Sequence, residues 1–248
     1  MQVTFRLLLI FLLTGAITSC NKVFHPAQIN TASLQVKGDV IDSGLNRMLL
    51  PYREKMNDAL GEVIGYAQTD LTKSQPECNL GNFMADALME AATREYGTQP
   101  DAAFMNYGGI RLPVIKQGGI TTGKIYELFP FDNLLVLVTL KGQVLQSFLD
   151  HISARGGWPV SGIKMQIRDK KAVNVFIGGN ALHTDSTYVI ALGDYTANGG
   201  DDAVMLKGMP QLNKGYLMRD AFLSYLHRLK MEGKNLSVVT EKRVTYAE

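Results

Sequence analysis

Two stretches of this chain set paired glycines beside a single charged side chain. Gly108-Gly109 precede Arg111, and Gly199-Gly200 precede Asp201. Paired glycines let a ligand approach the main chain closely, because no Cβ intervenes. A guanidinium presents a planar fork to phosphate or carboxylate. Between the two stretches, Phe131 lies between turn signals, with Pro130 before it and Asp132-Asn133 after it; Tyr195 stands just ahead of the second glycine pair. Two aromatics on separate loops can sandwich a flat ring. The same two residues could equally plug the core ends of their strands, and residue type alone leaves both readings open.

Other chemistries find less support. "GGITTGKI" has the glycine and lysine spacing of a phosphate-binding loop at Gly118, Gly123 and Lys124, but Ile125 stands where a magnesium-binding hydroxyl is needed. A turn entering a helix is the better reading. The four histidines, His25, His151, His183 and His227, are not paired at metal-ligand spacing; His151 and His227 read as surface or interface residues of helices. A Gly-x-Ser-x-Gly elbow is also missing. The motifs therefore assign no catalytic residue and no metal ligand.

The elements that must carry these loops are those of an α+β fold, with mixed β-sheets flanked by helices. A chain of 248 residues, 46% hydrophobic and 19% charged, can bury one good core. Its formal charge of +2 comes without any dense basic run, so a nucleic-acid partner is not expected. "SGLNRMLLPYREKMNDAL" predicts a helix with Ser43 as a possible cap and a kink or fresh start at Pro51. "GEVIGYAQTDL" predicts a strand. "NLGNFMADALMEAATREYG" predicts the clearest helix, with Leu80, Phe83, Met84, Ala87, Leu88 and Ala91 on one face and a stop at Gly97. "DAAFMN" is a short buried strand feeding the first glycine pair, "TTGKIYELFP" a short helix, "NLLVLVTL" an apolar strand, and Lys141 to Ala154 a helix. Two or three strands follow between Gly162 and Leu192, then a late helix in "YLMRDAFLSYLHRLK" and a closing strand in "KRVTY".

The N-terminus reads as an address. One basic residue, Arg6, precedes a run from Leu7 to Leu13 that is too short to span a bilayer, and "ITSC" ends at Cys20. The stretch resembles a bacterial lipoprotein signal, residues 1–19, cut before a Cys20 that takes the lipid. The alternative is an ordinary signal peptide that happens to end near a cysteine. Residues 20–40 read as a tether and 41–248 as the folded domain. The expected location is the cell envelope, lipid-anchored to a membrane and either periplasmic or surface-exposed. With Cys20 lipidated, Cys78 has no disulfide partner and reads as a semi-buried small residue.

"ECNLGNFMADAL", "NYGGIR", "ELFPFDNLLVLVTLKG" and "YTANGGDD", in this order, resemble the C-terminal domain of the 5'-nucleotidase family. "PYREKMNDALGEVIGYAQTDL" is similar to the stretch with which that domain begins, so the resemblance covers residues 41–248. It implies a domain that binds the nucleoside part of a substrate, while a separate N-terminal metallophosphatase domain holds two metals and hydrolyses the phosphate ester. Carried over by position, it implies that Phe131 and Tyr195 stack on either face of the base and that Asn133 touches the base edge. Asn106 and Arg111, with Gly108 and Gly109, would form the loop near ribose and phosphate. Asp201, after Asn198, Gly199 and Gly200, would accept from ribose hydroxyls, which suits an acceptor-only carboxylate.

This chain departs from the family in two ways. It reads as passing from signal and tether directly to a domain of the C-terminal type. Where some members carry arginines ahead of "NLGN", it has Asp70 and Ser74, with only Lys73 basic nearby. The expectation is a nucleotide- or nucleoside-recognition domain for phosphoric monoester hydrolysis, with no cofactor of its own. Divalent metals are expected on a separate metallophosphatase partner. The alternative is a surface-anchored nucleoside-binding protein with no catalytic role.

Overall fold

The apolar run at residues 134–138 organises the fold, because a strand hydrophobic on both faces must be covered on both. The computed structural model describes residues 42–248; the expected signal, the lipidated Cys20 and the tether lie outside them. In chain order the elements begin with α1 (Ser43–Gly61), β1 (Val63–Ala67), β2 (Leu71–Thr72), α2 (Asn79–Tyr96), β3 (Ala102–Phe104), β4 (Val114–Ile115), β5 (Gly118–Thr121) and α3 (Thr122–Leu128). The central part comprises β6 (Leu134–Lys141), α4 (Gly142–Ala154), β7 (Val160–Ser161), β8 (Ile163–Arg168), β9 (Lys171–Ile177), β10 (Asn180–Ala181) and β11 (Thr187–Gly193). α5 (Asp194–Ala197), β12 (Gln211–Leu217), α6 (Met218–Met231) and β13 (Val244–Tyr246) complete the chain.

A five-stranded sheet, order β12-β6-β11-β3-β7, divides two cores. Leu135 and Leu137 of β6 point to one side, where Leu80, Phe83, Met84 and Leu88 of α2 meet Phe222 and Leu226 of α6. Val136 and Val138 point to the other, toward Leu145, Phe148 and Ile152 of α4. That second core continues into a four-stranded sheet, order β10-β9-β8-β13, through Ile163, Met165 and Val244. Strand alternation thus feeds both cores from one segment. Two small antiparallel pairs, β1-β5 and β2-β4, finish the architecture.

Several local expectations are corrected. α1 runs unbroken through Pro51, with no buried residue, and its first amides are capped by the Asp42 carboxylate rather than Ser43: Oδ1 accepts from Gly44 N at 2.9 Å and Leu45 N at 3.0 Å. The strand expected from "GEVIGYAQTDL" is two strands, β1 and β2. Strand β5 runs into α3 at the rejected phosphate-loop motif, and Thr121 caps the helix by accepting from Lys124 N at 3.2 Å. Tyr216 and Leu217, expected in the late helix, belong to β12. Cys78 is fully buried, and its Sγ accepts from Gly81 N at 3.2 Å, capping α2. α2 is buried almost all round: Asn82, Ala85 and Ala92 join the predicted apolar face.

Candidate functional site

Strand polarity gathers the loops. β11 pairs parallel with β3 and antiparallel with β6. The C-terminal ends of β3 and β11 and the N-terminal end of β6 therefore share one end of the sheet. Ligands of open α/β sheets commonly settle outside the carboxyl ends of strands. Here the chain after β3 supplies Asn106, Gly108, Gly109 and Arg111, the chain before β6 supplies Phe131 and Asn133, and the chain after β11 supplies Tyr195 and Asp201. All eight line one cleft of about 310 Å³, at the lower end of the range for small-molecule sites, roughly 300–1,000 Å³.

Tyr195 is 48% exposed, although its ring is not loose. A Cβ on Gly200 would fall 2.5 Å from the Tyr195 ring, so the ring lies against that glycine. Gly200 thus works from behind the aromatic and does not line the cleft. Gly199 has φ of +95°, a left-handed turn that favours glycine. Asn198 is exposed beside them, and its Nδ2 donates to Asp194 O at 2.8 Å. None of Asn198, Gly199 and Gly200 is among the cleft's lining residues.

Phe131 is half-buried. Phe129 packs its ring edge-to-face against it at 5.3 Å, and the Arg111 guanidinium lies 5.3 Å from its centroid. Arg111 also donates to Gly108 O at 3.3 Å. No carboxylate pairs with Arg111 among the described residues. Gly108 has open space where a Cβ would point, so its main chain is bare toward the cleft. A Cβ on Gly109 would meet Asn106 Oδ1 at 2.6 Å, so that glycine makes room for the Asn106 side chain.

The polar floor is a linked set. Asn106 Nδ2 donates to Asp201 Oδ2 at 2.8 Å. The Asp201 amide donates to the Tyr195 hydroxyl at 3.2 Å, and that hydroxyl approaches Oδ1 at 3.4 Å. Asp201 sits at φ 50°, ψ 34° and Asp202 at φ 58°, both left-handed. Asp tolerates this region better than most residues. The set offers two π faces, a carboxylate acceptor, amide groups and a guanidinium without a carboxylate partner among the described residues, which is chemistry for a flat polar ring bearing hydroxyls.

Three supporting residues escaped the sequence reading. Arg219, 8% exposed, donates to Phe131 O at 3.2 Å and Asp132 Oδ1 at 2.7 Å, and lies over the Tyr126 ring at 4.2 Å. Its signal was a charge within the buried face of α6, beside Met218 and Phe222. The Asp194 carboxylate accepts from Leu134 N at 2.9 Å and Tyr195 N at 2.8 Å, joining the two aromatic loops. His151, read as a surface or interface residue, is instead half-buried beneath Asp201, where Nε2 lies 2.9 Å from Asp201 O. His227 is half-buried on α6.

The positions where arginines were sought lie elsewhere. Asp70 pairs with Lys116 at 2.8 Å and accepts from Gln117 N; these bonds hold its carboxyl below the usual range. The Ser74 hydroxyl donates to Glu77 O at 3.2 Å. Lys73 approaches the first loop from below, donating to Ile110 O at 2.7 Å with its ammonium 4.2 Å from the Tyr107 ring centroid. Burial, reinforced by the charge of Arg111, holds that ammonium below the usual lysine range. Among the described residues no three His, Cys, Asp or Glu side chains converge as a metal-ligand set.

Comparison with known proteins accords with this architecture. Residues 60–208 match the model of the 5'-nucleotidase, C-terminal domain. A 5'-nucleotidase of Vibrio vulnificus is 30% identical over 198 residues, covering 75% of this chain and 34% of that protein. The trifunctional nucleotide phosphoesterase protein YfkN of Bacillus subtilis is 29% identical over 215 residues, covering 78% of this chain and 14% of the relative. The chain thus spans about a third or less of the length of these curated relatives. The crystal structure of a 5'-nucleotidase precursor from Thermus thermophilus superposes with a TM-score of 0.72 at 30% identity, covering 84% of this chain and 44% of that one. A putative 5'-nucleotidase from Staphylococcus aureus shares the fold, with a TM-score of 0.65 at 18% identity over 86% of this chain and 46% of that one. With its two-core sheet and the cleft at one end of it, the chain belongs to the 5'-nucleotidase C-terminal domain family.

Proposed function

We propose that this chain recognises the nucleoside part of a nucleotide, and that hydrolysis of the phosphoric monoester takes place on a separate metallophosphatase acting with it. The observation that carries this reading is the convergence of Phe131, Tyr195, Asn106 and Asp201 on one cleft from loops far apart in sequence. A base between the two rings would gain about 1–3 kcal/mol from each stacked face, before the entropy of binding is set against it. Asn133, at the wall of the same cleft, would meet the base edge. Asp201 would accept from the ribose hydroxyls, its second oxygen being held by Asn106. Arg111 stands at the margin as the cation available to a phosphate, with Lys73 behind it.

The site is better equipped for the nucleoside than for the phosphate. Two arginines fewer than in some family members would remove charge-assisted bonds of about 1.5–3 kcal/mol each. The missing charge would come from the partner that also carries the divalent metals. The chain would work at the cell envelope, held to a membrane by lipid on Cys20. Calorimetric titration with adenosine and AMP in parallel tests recognition, and absence of heat with both would refute it. Phosphate release from AMP by candidate metallophosphatases, with and without this chain, tests the division of labour. No gain across several candidates would count against a catalytic partnership.

A further inference from the structure

Beside Asp201, and outside the cleft lining, a half-buried imidazole is held by two aromatic rings, a guanidinium and a main-chain oxygen. His151 of α4 packs against Phe148 with ring centroids 6.5 Å apart and planes 18° from parallel; Trp158 meets it at 84° and 6.3 Å. Arg155 Nη1 lies 3.1 Å from His151 Nδ1. A guanidinium only donates, so Nδ1 accepts and Nε2 carries the hydrogen. That hydrogen is aimed at the main-chain oxygen of Asp201, 2.9 Å from Nε2. The same Arg155 donates through Nη2 to the Asp202 carboxylate at 2.8 Å. The two left-handed residues therefore rest on one relay, Arg155 to His151 to Asp201 O and Arg155 to Asp202. A left-handed non-glycine backbone persists only where its surroundings hold it.

We infer that His151 is a positioning residue: it fixes the backbone of Asp201, and so the carboxylate that distinguishes a ribose from a sugar without its vicinal hydroxyls. The inference rests on the nucleoside reading of the cleft. Without the Nε2 bond the carbonyl loses its donor, the 201–202 turn relaxes, and the carboxylate no longer stands where Asn106 holds it. Stacking on Phe131 and Tyr195 would persist, so the loss falls on sugar selectivity more than on base binding.

The test compares adenosine with 2′,3′-dideoxyadenosine by calorimetry for the whole protein, His151→Leu and His151→Gln, with thermal unfolding and hydrogen exchange of the amides of 199–203. We expect His151→Leu to reduce the preference for adenosine about tenfold, the scale of one lost hydrogen bond, and to speed exchange in 199–203. His151→Gln, whose side-chain amide can donate to the same carbonyl, should restore most of both. A folded His151→Leu protein with unchanged preference and unchanged exchange overturns the inference, as does loss of both in His151→Gln with an unchanged unfolding midpoint. Should His151→Leu not fold, Arg155→Met removes the donor into Nδ1 from an exposed position; unchanged preference and exchange there would also refute the relay. If the unsubstituted protein binds neither compound, the nucleoside reading fails, and exchange in 199–203 alone decides whether His151 holds the turn.

Discussion

Asn106 and Asp201, 95 residues apart, meet at 2.8 Å through Nδ2 and Oδ2, and this bond ties the loop after β3 to the loop beyond β11. Both side chains face the cleft, so the bond serves geometry and ligand chemistry together. It orients the carboxylate and occupies one of its oxygens, leaving Oδ1 toward the Tyr195 hydroxyl and the open cleft. We expect Asn106→Ala to weaken adenosine binding by roughly tenfold or more, the scale of about 1.5–3 kcal/mol for a hydrogen bond to a charged group. Calorimetry measures this directly, and unaltered affinity would show that Asp201 needs no orienting donor.

The two aromatics should behave as independent faces of one clamp. Phe131→Ala and Tyr195→Ala should each cost about 1–3 kcal/mol of base binding. Tyr195→Phe keeps the face and loses only the hydroxyl that the Asp201 amide reaches at 3.2 Å. Its loss should stay near one neutral hydrogen bond, about 0.5–1.5 kcal/mol. If Tyr195→Phe proved as damaging as Tyr195→Ala, the ring would be acting through its hydroxyl rather than its π face.

Gly200→Ala tests the backing of that clamp. The new methyl would lie 2.5 Å from the Tyr195 ring, too close to coexist with its present rotamer. The ring is nearly half exposed and can swing away, so the fold should tolerate the change. We expect the unfolding midpoint to fall by only a few degrees, since about 1 kcal/mol shifts it by roughly 2–4 °C in a domain of this size. Adenosine affinity should fall nearly as far as in Tyr195→Ala. A full-affinity Gly200→Ala protein would mean that the ring position seen here is not the one used in binding.

What could be read from the sequence, and what could not, separates along physical lines. "NLLVLVTL" announces a strand covered on both faces because Leu134 to Val138 are apolar without a break, and Leu135 to Val138 feed alternate cores. The paired glycines mark positions where main chain must be bare, and Gly108 is such a position. Gly200 answers a different need, the ring behind it, which no local pattern could reveal. The roles of His151, Asp194 and Arg219 depend on partners 50, 60 and 88 residues away respectively, Asp201, Leu134 and Phe131. Such bonds leave no periodicity, and at best a charge on an otherwise buried helix face, as at Arg219, hints at them. Caps failed for a simpler reason: Asp42 and Ser43 are adjacent, and either side chain has the chemistry.

Cys20→Ser addresses the proposed anchor, which lies outside the described residues. With the lipid-accepting thiol replaced, the protein should move from the membrane fraction to the soluble fraction after cell disruption and lose any label from a radioactive fatty acid. Among the described residues no helix is long and apolar enough to cross a membrane, so none of those helices would retain it as a span. Unchanged fractionation with no fatty-acid label would favour an ordinary signal and another means of attachment.

Any contribution of Lys73 to phosphate binding should depend on alkaline pH. Burial holds its ammonium below the ordinary lysine range, with Arg111 adding to the effect and Cys78 opposing it. A lysine with a lowered folded value binds fewer protons in the folded than in the unfolded state, in the window between the two values. Its charge therefore disappears earlier on alkalinisation than that of an exposed lysine, and its unfavourable burial is relieved as pH rises. The phosphate of AMP, with a second pKa near 6, is already a dianion throughout that range. Any preference for AMP over adenosine that Lys73 supplies should thus decline as pH climbs toward the ordinary lysine value, about 10.4, while adenosine affinity stays level. Lys73→Met should start with a preference a few-fold smaller, a modest change because the ammonium is only part-buried and already donates to Ile110 O. It should also show no such decline. An AMP preference that is level with pH and equal in the two proteins would move the role to Arg111, whose guanidinium stays charged across the whole range.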